Sequence, residues 1–347
     1  MIDTPTLWLT QQIQQYTTAS SLWLTDENLL KQINGATSRS NNPVVITNRW
    51  DLAEQMKIAG FKTEFSDFDL SAIPDASVDH IFYRISKEKA VTHHLINESH
   101  RVLQANGKLW ICGLKNEGIK TYIEKAASLF GCEKNIQKDG MNYSGLLIKQ
   151  FETGARLNDD DYANLRECIR IGDKTLLSKP GQFGWNKVDE GSEFLISAIS
   201  ELLASRVLKH CLDLGCGYGY LTFASQHLNI RTRTLTDNNA AALATAKANC
   251  DRLGINARVV ASDAGEKLDA PFDLILCNPP FHQGFSVDED LTDKFLRNAA
   301  KLLDPDGVAY FVVNQFIALE KKAFPYFKHI NLVARNKSFK IVELRKN

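Results

Sequence analysis

Short apolar runs that stop abruptly alternate along this chain with longer stretches in which apolar residues recur every three or four positions. Val44 to Thr47, Lys62 to Phe65, Asp79 to Tyr83 and Lys108 to Cys112 read as β-strands. Between them Trp50 to Ala59, Ala90 to Leu103 and Gly118 to Phe130 read as helices. Ahead of these, Leu7 to Tyr16 predicts a short helix, Ser21 to Leu24 a strand, and Thr25-Asp26-Glu27 the capped start of another helix. The second half keeps the same rhythm, with strands at Val207 to Leu212, Thr232 to Thr236, Ala257 to Ala261, Phe272 to Leu276 and Val308 to Val313. Its helices fall at Glu193 to Ala204, Tyr220 to His227, Asn239 to Leu253, Leu291 to Leu303 and Ile317 to Phe327. Ile330 to Ala334 and Phe339 to Leu344, on either side of Arg335-Asn336-Lys337-Ser338, predict a closing β-hairpin. This alternation predicts an α/β fold with mostly parallel sheets, and 347 residues are comfortable for two domains.

The two halves also resemble one another. Asp79-His80-Ile81-Phe82-Tyr83-Arg84 lies over Asp273-Leu274-Ile275-Leu276-Cys277-Asn278, an offset of 194 residues (273 minus 79). Val102 to Gly107 lies over Leu302 to Gly307, an offset of 200 (302 minus 102), so the second half carries six more residues between the two matches. A duplicated domain is the natural reading. The copies are not equivalent: the first has Arg84-Ile85-Ser86-Lys87 where the second has Asn278-Pro279-Pro280-Phe281, and Asp26-Glu27-Asn28 where the second has glycines. The first copy is therefore expected to keep the fold and to have lost a ligand site. Boundaries are expected at 1–151 for this copy, 152–190 for a connector and lid segment containing Gly181-Gln182-Phe183-Gly184-Trp185, and 191–347 for the second copy.

The candidate chemistry sits where the strand before Asn278 ends in a double proline, which cannot continue a central ladder. In open α/β sheets that edge is where ligands bind. The Asn278 side-chain amide and the Pro279 carbonyl are neighbouring acceptors, with the Phe281 ring beside them. Two such acceptors can take both hydrogens of a planar amine while its ring stacks on the phenyl group. The amine's lone pair is then aimed at an electrophile, and positioning carries the reaction without an early general base.

A second constellation lies earlier in the same half. Asp213-Leu214-Gly215-Cys216-Gly217-Tyr218-Gly219 follows a strand and opens a helix, so Gly215, Gly217 and Gly219 let the backbone approach a nucleoside. Asp237, followed by Asn238, ends the next strand 24 residues beyond Asp213, where an acid reaches ribose hydroxyls in nucleotide folds. Asp263, before Ala264, ends the third strand; it either accepts from an adenine amine or caps the following turn. Gly191 and Ser192 open a helix whose N-terminus either touches the cofactor or is an ordinary capped end. The pattern G-x-G-x-G behind an acid departs from the dinucleotide fingerprint G-x-G-x-x-G and suits a cationic, phosphate-free cofactor such as S-adenosylmethionine.

Charge and cysteine content narrow the setting. Acidic and basic residues balance at 41 each, so no global field declares a polyanionic partner. Lys321 to Asn347 is the exception, with eight basic residues against the single acid Glu343; this stretch is either a phosphate-facing surface or a solvated one. Seven cysteines without a CxxC pair suggest a reducing cytoplasm, and no Cys/His cluster suggests a metal. No signal peptide or membrane-spanning run is read in the sequence.

With these residues in hand, the second half resembles the class I S-adenosylmethionine-dependent methyltransferases, and Asn278-Pro279-Pro280-Phe281 resembles the signature of their amino-methylating members. Gly181-Gln182-Phe183, Asp189-x-Gly191-Ser192, the Asp213 to Gly219 turn and the Asn278 to Gln283 corner, behind a degenerate first copy, are similar to the bacterial ribosomal RNA guanine-N2 methyltransferases of the small-subunit methyltransferase C type. The resemblance implies two tandem Rossmann-like methyltransferase domains and S-adenosylmethionine as cofactor. It implies that Asp213 and the Gly215 to Gly219 turn hold the methionine end, Asp237 the ribose and Asp263 the adenine. Asn278 and Pro279 would orient the 2-amino group of a guanine flipped out of 16S rRNA, the family target being guanine 1207, with Phe281 stacked on the base. It further implies a cytoplasmic monomer acting on the small ribosomal subunit, with no membrane or DNA partner. The same corner serves enzymes that methylate adenine in DNA or a glutamine amide in protein. A 23S rRNA enzyme of this layout, and a noncatalytic RNA-binding assembly factor, are the alternatives.

Overall fold

A computed structural model describes residues 3–35, 42–269, 271–280, 282–283, 286–287 and 289–347. The chain divides into two compact units, Met1–Asn164 and Leu165–Asn347.

The first unit runs α1 (Thr4–Tyr16), β1 (Ser21–Thr25), a 3-10 helix (Glu27–Gly35), β2 (Val44–Thr47), α2 (Trp50–Ile58), β3 (Thr63–Phe65), β4 (Val78–Arg84), α3 (Lys89–Val102), β5 (Leu103–Leu114), α4 (Ile119–Phe130), β6 (Ile136–Asp139) and β7 (Asn142–Ile148). Its sheet is ordered β3-β2-β1-β4-β5-β7-β6. The first five strands are parallel, and β7 inserts antiparallel between β5 and β6. Every residue of β1 is buried, as expected for a parallel strand covered on both faces. The helix expected from Leu7 starts earlier: Asp3 caps it, and Pro5 fits the first turn, where no backbone N–H is needed. The helix expected after Thr25 is a 3-10 helix instead. Asn28 turns its backbone N–H and its side-chain Nδ2 onto Asp26 Oδ1, at 3.1 and 2.7 Å, in competition with an α-helical ladder.

The second unit opens with a hairpin, β8 (Arg166–Ile171) and β9 (Lys174–Ser178), then α5 (Glu190–Leu203), β10 (Leu208–Leu214), α6 (Tyr220–Ala224), β11 (Ile230–Asp237), α7 (Ala240–Leu253), β12 (Ala257–Ala261) and β13 (Phe272–Cys277). It continues through β14 (His282–Gln283), β15 (Ser286–Val287), α8 (Glu289–Leu302), β16 (Leu303–Asn314), α9 (Leu319–Ala323), β17 (His329–Arg335) and β18 (Phe339–Arg345). The main sheet is ordered β12-β11-β10-β13-β16-β18-β17, the same permutation as in the first unit. The closing hairpin is present, and β18 is also the antiparallel partner of β16. The helix expected over Ile317 to Phe327 shrinks to one short turn before Pro325.

The stretch read as a connector holds β8 and β9, whose Ile169 and Leu176 are buried in the second unit's core. Asn249 of α7 ties β9 down, accepting from Leu177 N at 2.7 Å and donating to Leu177 O at 3.0 Å. The charged, alternating residues of β8 gave no apolar run from which a strand could be read.

The duplication reaches the level of hydrogen-bond register. In the first unit Val78 pairs with Leu103 and His80 with Lys108, with an irregularity between the two pairs. In the second, Phe272 pairs with Leu303 and Leu274 with Val308, with the same irregularity. These positions keep the offsets of 194 (272 minus 78) and 200 (303 minus 103). The glycines inside that crook are equivalent too. A Cβ on Gly107 would meet Gln104 O at 2.9 Å, and one on Gly307 would meet Phe272 O at 2.8 Å, so neither position admits a side chain.

Candidate active site

Strand register brings the sequence-selected acids to one sheet edge. β10 lies between β11 and β13, with Asp213 opposite Leu235 and Leu276, while Asp237 at the end of β11 lies opposite Ala261 of β12. Asp263 and Asn278 follow the last residues of β12 and β13. The direction of the crossovers changes between β10 and β13, the place where open α/β sheets bind ligands.

The glycine turn follows β10. Gly215, Gly217 and Gly219 have φ of +79°, +53° and +89°, conformations that other residues adopt at a cost. The turn is tied to β11, since Gly215 N and Cys216 N donate to Thr236 O at 2.9 and 3.0 Å and Gly217 N donates to Asp237 Oδ2 at 3.0 Å. A Cβ on Gly217 would stand in open space, so the backbone there presents an uncovered face. The other Asp237 oxygen accepts from Asn239 N at 2.9 Å, and Asn238 between them is half-buried.

Asp213 is buried beneath this turn. Its Oδ2 accepts from Thr222 N at 3.0 Å and Thr222 Oγ1 at 2.8 Å, which fixes the start of α6. Its Oδ1 has no hydrogen-bond partner among the described residues. Burial pushes the carboxyl up to about 7, against the hydrogen bonds from Thr222. A buried carboxylate oxygen without a partner is costly unless a donor or a cation completes it.

Asp263 is buried and ion-paired with Lys294 of α8. Ala264 beside it has φ +48°, and its carbonyl accepts from Asn298 Nδ2 at 3.0 Å. The segment before α5 is also held in place. Gln182 is buried and donates to Ser178 Oγ at 3.2 Å and Thr245 Oγ1 at 3.0 Å, and Asn239 Nδ2 donates to Gly181 O at 3.1 Å. Arg166 lies 5.1 Å from the centre of the Trp185 ring, while Phe183 stands 80% exposed.

At the double-proline corner Asn278 is half-buried and Pro279 buried. Asn278 Nδ2 donates to Asp189 Oδ2 at 2.6 Å and to Ser192 Oγ at 2.9 Å. Asp189 is the N-cap of α5, and the same Oδ2 accepts from Ser192 N at 2.8 Å. Ser192 thus touches Asn278. Gly191 leaves room for the Phe339 ring, which a Cβ would meet at 3.1 Å. Phe281 lies outside the described residues. Two contributors were not legible as site residues: Asp189, 89 positions before Asn278, and Lys294, 31 beyond Asp263. The cap at Asp189 shows in the sequence, but its reach across the sheet does not.

Burial holds the Cys216 and Cys277 thiols well above their ordinary range, which keeps both protonated. All seven cysteines are unpaired. Among the described residues, no group of His, Cys, Asp and Glu could hold a metal ion, and no helix is long and apolar enough to cross a membrane.

Residues 173–343 match the model of the methyltransferase small domain family. The ribosomal RNA small subunit methyltransferase C of Shewanella loihica is 30% identical over 271 residues, covering 77% of this chain and 76% of that protein. The enzyme of the same name from Actinobacillus succinogenes is 30% identical over 281 residues, covering 80% and 81%. The chain belongs to the ribosomal RNA small subunit methyltransferase C family. It is accordingly an enzyme, a methyltransferase dependent on S-adenosylmethionine and acting on ribosomal RNA. The fold agrees: the T. thermophilus 16S rRNA guanine 1207 N2 methyltransferase, solved with AdoMet and guanosine, superimposes with a TM-score of 0.83 at 22% identity, covering 99% of this chain and 92% of that one. Both units are thus Rossmann-like, arranged in tandem along the chain.

Proposed function

We propose that the second unit methylates the exocyclic N2 amine of a guanine in 16S rRNA, with guanine 1207 as the target, on a base flipped from its helix. The observation that carries this reading is the Asn278 amide, whose nitrogen is occupied by Asp189 and Ser192 so that its oxygen is left to accept from an amine. The relative solved with AdoMet and guanosine supports it, since that protein binds both the cofactor and the nucleoside of the proposed substrate.

The residues fit a sulfonium cofactor. Asp213 Oδ1 is a buried acceptor without a hydrogen-bond partner among the described residues, suited to a cationic group. The uncovered backbone at Gly217 leaves room for an adenosyl moiety. In this reading Asp213 with Gly215, Gly217 and Gly219 holds the methionine end, Asp237 and Asn238 lie at the ribose, and Asp263 and Ala264 at the adenine. When bound, S-adenosylmethionine supplies an electrophilic methyl group. Asn278 Oδ1 and the Pro279 carbonyl accept the two amine hydrogens and hold the lone pair toward it. The stacking role of Phe281 rests on sequence alone, as does that of Gly191 toward the cofactor.

The first unit, in the same reading, binds no cofactor and supports the second. The protein works as a monomer in the cytoplasm on the small ribosomal subunit and does not act on DNA. The test is mass-spectrometric mapping of methylated guanines in rRNA from a strain lacking the gene, followed by restoration with purified protein on isolated small subunits. Loss and recovery of N2-methylguanine at position 1207 is the expected result. A change confined to 23S rRNA, or none, would sink the assignment.

A further inference from the structure

An asparagine amide can present its oxygen or its NH2 in nearly the same space, and only its neighbours decide which. The hydroxyl of Ser192, 2.9 Å from Asn278 Nδ2, does not decide, because it can donate or accept. Asp189 does: its carboxylate only accepts, and its Oδ2 lies 2.6 Å from Asn278 Nδ2. A flipped amide would set two oxygens against each other at that distance. We infer that Asp189 is a positioning residue that locks the Asn278 amide with its oxygen toward the target amine; the inference rests on the function proposed above.

Asp189 does this from a rigid seat. It caps α5, a 14-residue helix packed on β16 and β18, and the oxygen that accepts from Ser192 N at 2.8 Å is the one that grips Asn278. The first unit repeats the device without the chemistry. Asp3 caps α1, accepts from Thr6 N at 3.1 Å, and receives Arg84 Nη2 and Nε at 3.0 and 3.2 Å. Arg84 is the counterpart of Asn278 by the strand offset of 194 (278 minus 84). A cap aspartate reaching the residue at the end of the fourth core strand is therefore common to both copies. In the second it meets a side chain whose two faces differ chemically.

Two variants of the full-length protein separate locking from capping. Asp189→Ser keeps a good cap residue but is too short to reach Asn278. Asp189→Asn keeps cap and reach but adds a donor that tolerates the flipped amide. In single-turnover methylation of small subunits, Asp189→Ser is expected to lower the rate roughly ten- to a hundredfold. Asp189→Asn should lie between it and wild type, with thermal midpoint and S-adenosylmethionine Kd unchanged in both.

The second readout is the Asn278 side-chain NH2 signal in 1H–15N spectra, identified by its loss in Asn278→Ala. It should be protected from solvent exchange in wild type and exchange faster in Asp189→Ser, where Ser192 alone still accepts from it. A wild-type rate in Asp189→Ser beside an inactive Asn278→Ala would overturn the inference, as would a rate loss that only tracks lost cofactor binding or stability. If the wild-type protein and Asn278→Ala behave alike on rRNA, the proposed function fails instead, and the NH2 signal still judges the lock.

Discussion

The two units share a strand order and a register, yet the same positions serve opposite ends. Where the second unit places Asp213 beneath a glycine turn, the first places the buried indole of Trp23, since Trp23 pairs with Phe82 and Asp213 with Leu276, 194 positions on (276 minus 82). Where the second presents Asn278, the first buries Arg84 between Asp3 and Glu117, with contacts of 2.5 and 2.8 Å to Glu117. Burial works against the Arg84 charge, but the hydrogen bonds it donates to Glu117 and Asp3 outweigh it and raise its pKa, so the guanidinium stays charged. One copy spends its strand-end polar groups on each other; the other leaves a carboxylate oxygen of Asp213 without a hydrogen-bond partner among the described residues, the oxygen that the proposed function gives to the cofactor.

That contrast can be broken experimentally. The largest effect is expected from Asn278→Ala, which should cut methyl transfer by about a hundredfold or more while S-adenosylmethionine affinity by calorimetry stays nearly constant. Retained activity would end the catalytic reading of the second unit. Next, Arg84→Ala should strand two carboxylates and destabilise the first unit by about 3–5 kcal/mol in chemical denaturation. An unaltered midpoint would show that the Asp3–Arg84–Glu117 cluster carries no stability.

Asp213 supplies a pH test with a definite sign. Its folded pKa, about 7, exceeds the ordinary 3.8, so the folded unit holds the proton more tightly than the unfolded chain. Stability without ligand should therefore fall as pH rises from about 4 toward 7 and level off above it. Affinity for a cationic cofactor should run the other way, because only the ionised carboxylate attracts it. The Kd should tighten roughly tenfold between pH 6 and 8, and Asp213→Asn should flatten that dependence. The smallest effect compares two glycines with open space around them, Gly217 at φ +53° and Gly140 at φ +59° in the β6–β7 turn. Alanine at either should cost about 1 kcal/mol in thermal unfolding. Only Gly217→Ala should also weaken cofactor binding.

Much of this was legible beforehand where local chemistry fixes local geometry. The double proline after Asn278 marks a strand end, the glycines after Asp213 mark a turn of positive φ, and the matched offsets disclosed the duplication. The β8–β9 hairpin escaped because half the residues of β8 are charged and its partner, Asn249, lies 72 residues from Leu177. Asp189 and Lys294 escaped for a related reason: a cap or a helical lysine looks ordinary in sequence, and only the folded sheet brings it to Asn278 or Asp263. The β6–β7 pair was missed because Ile136 to Asp139 is mostly polar and exposed, leaving no apolar alternation to read.

The crook that each copy keeps around Gly107 and Gly307 has a practical corollary for protein engineering. Because the backbone jogs by the same amount at the same rung, it marks a splice point. A recombinant chain crossing there from one copy to the other would keep the same pairing offset on both sides of the junction.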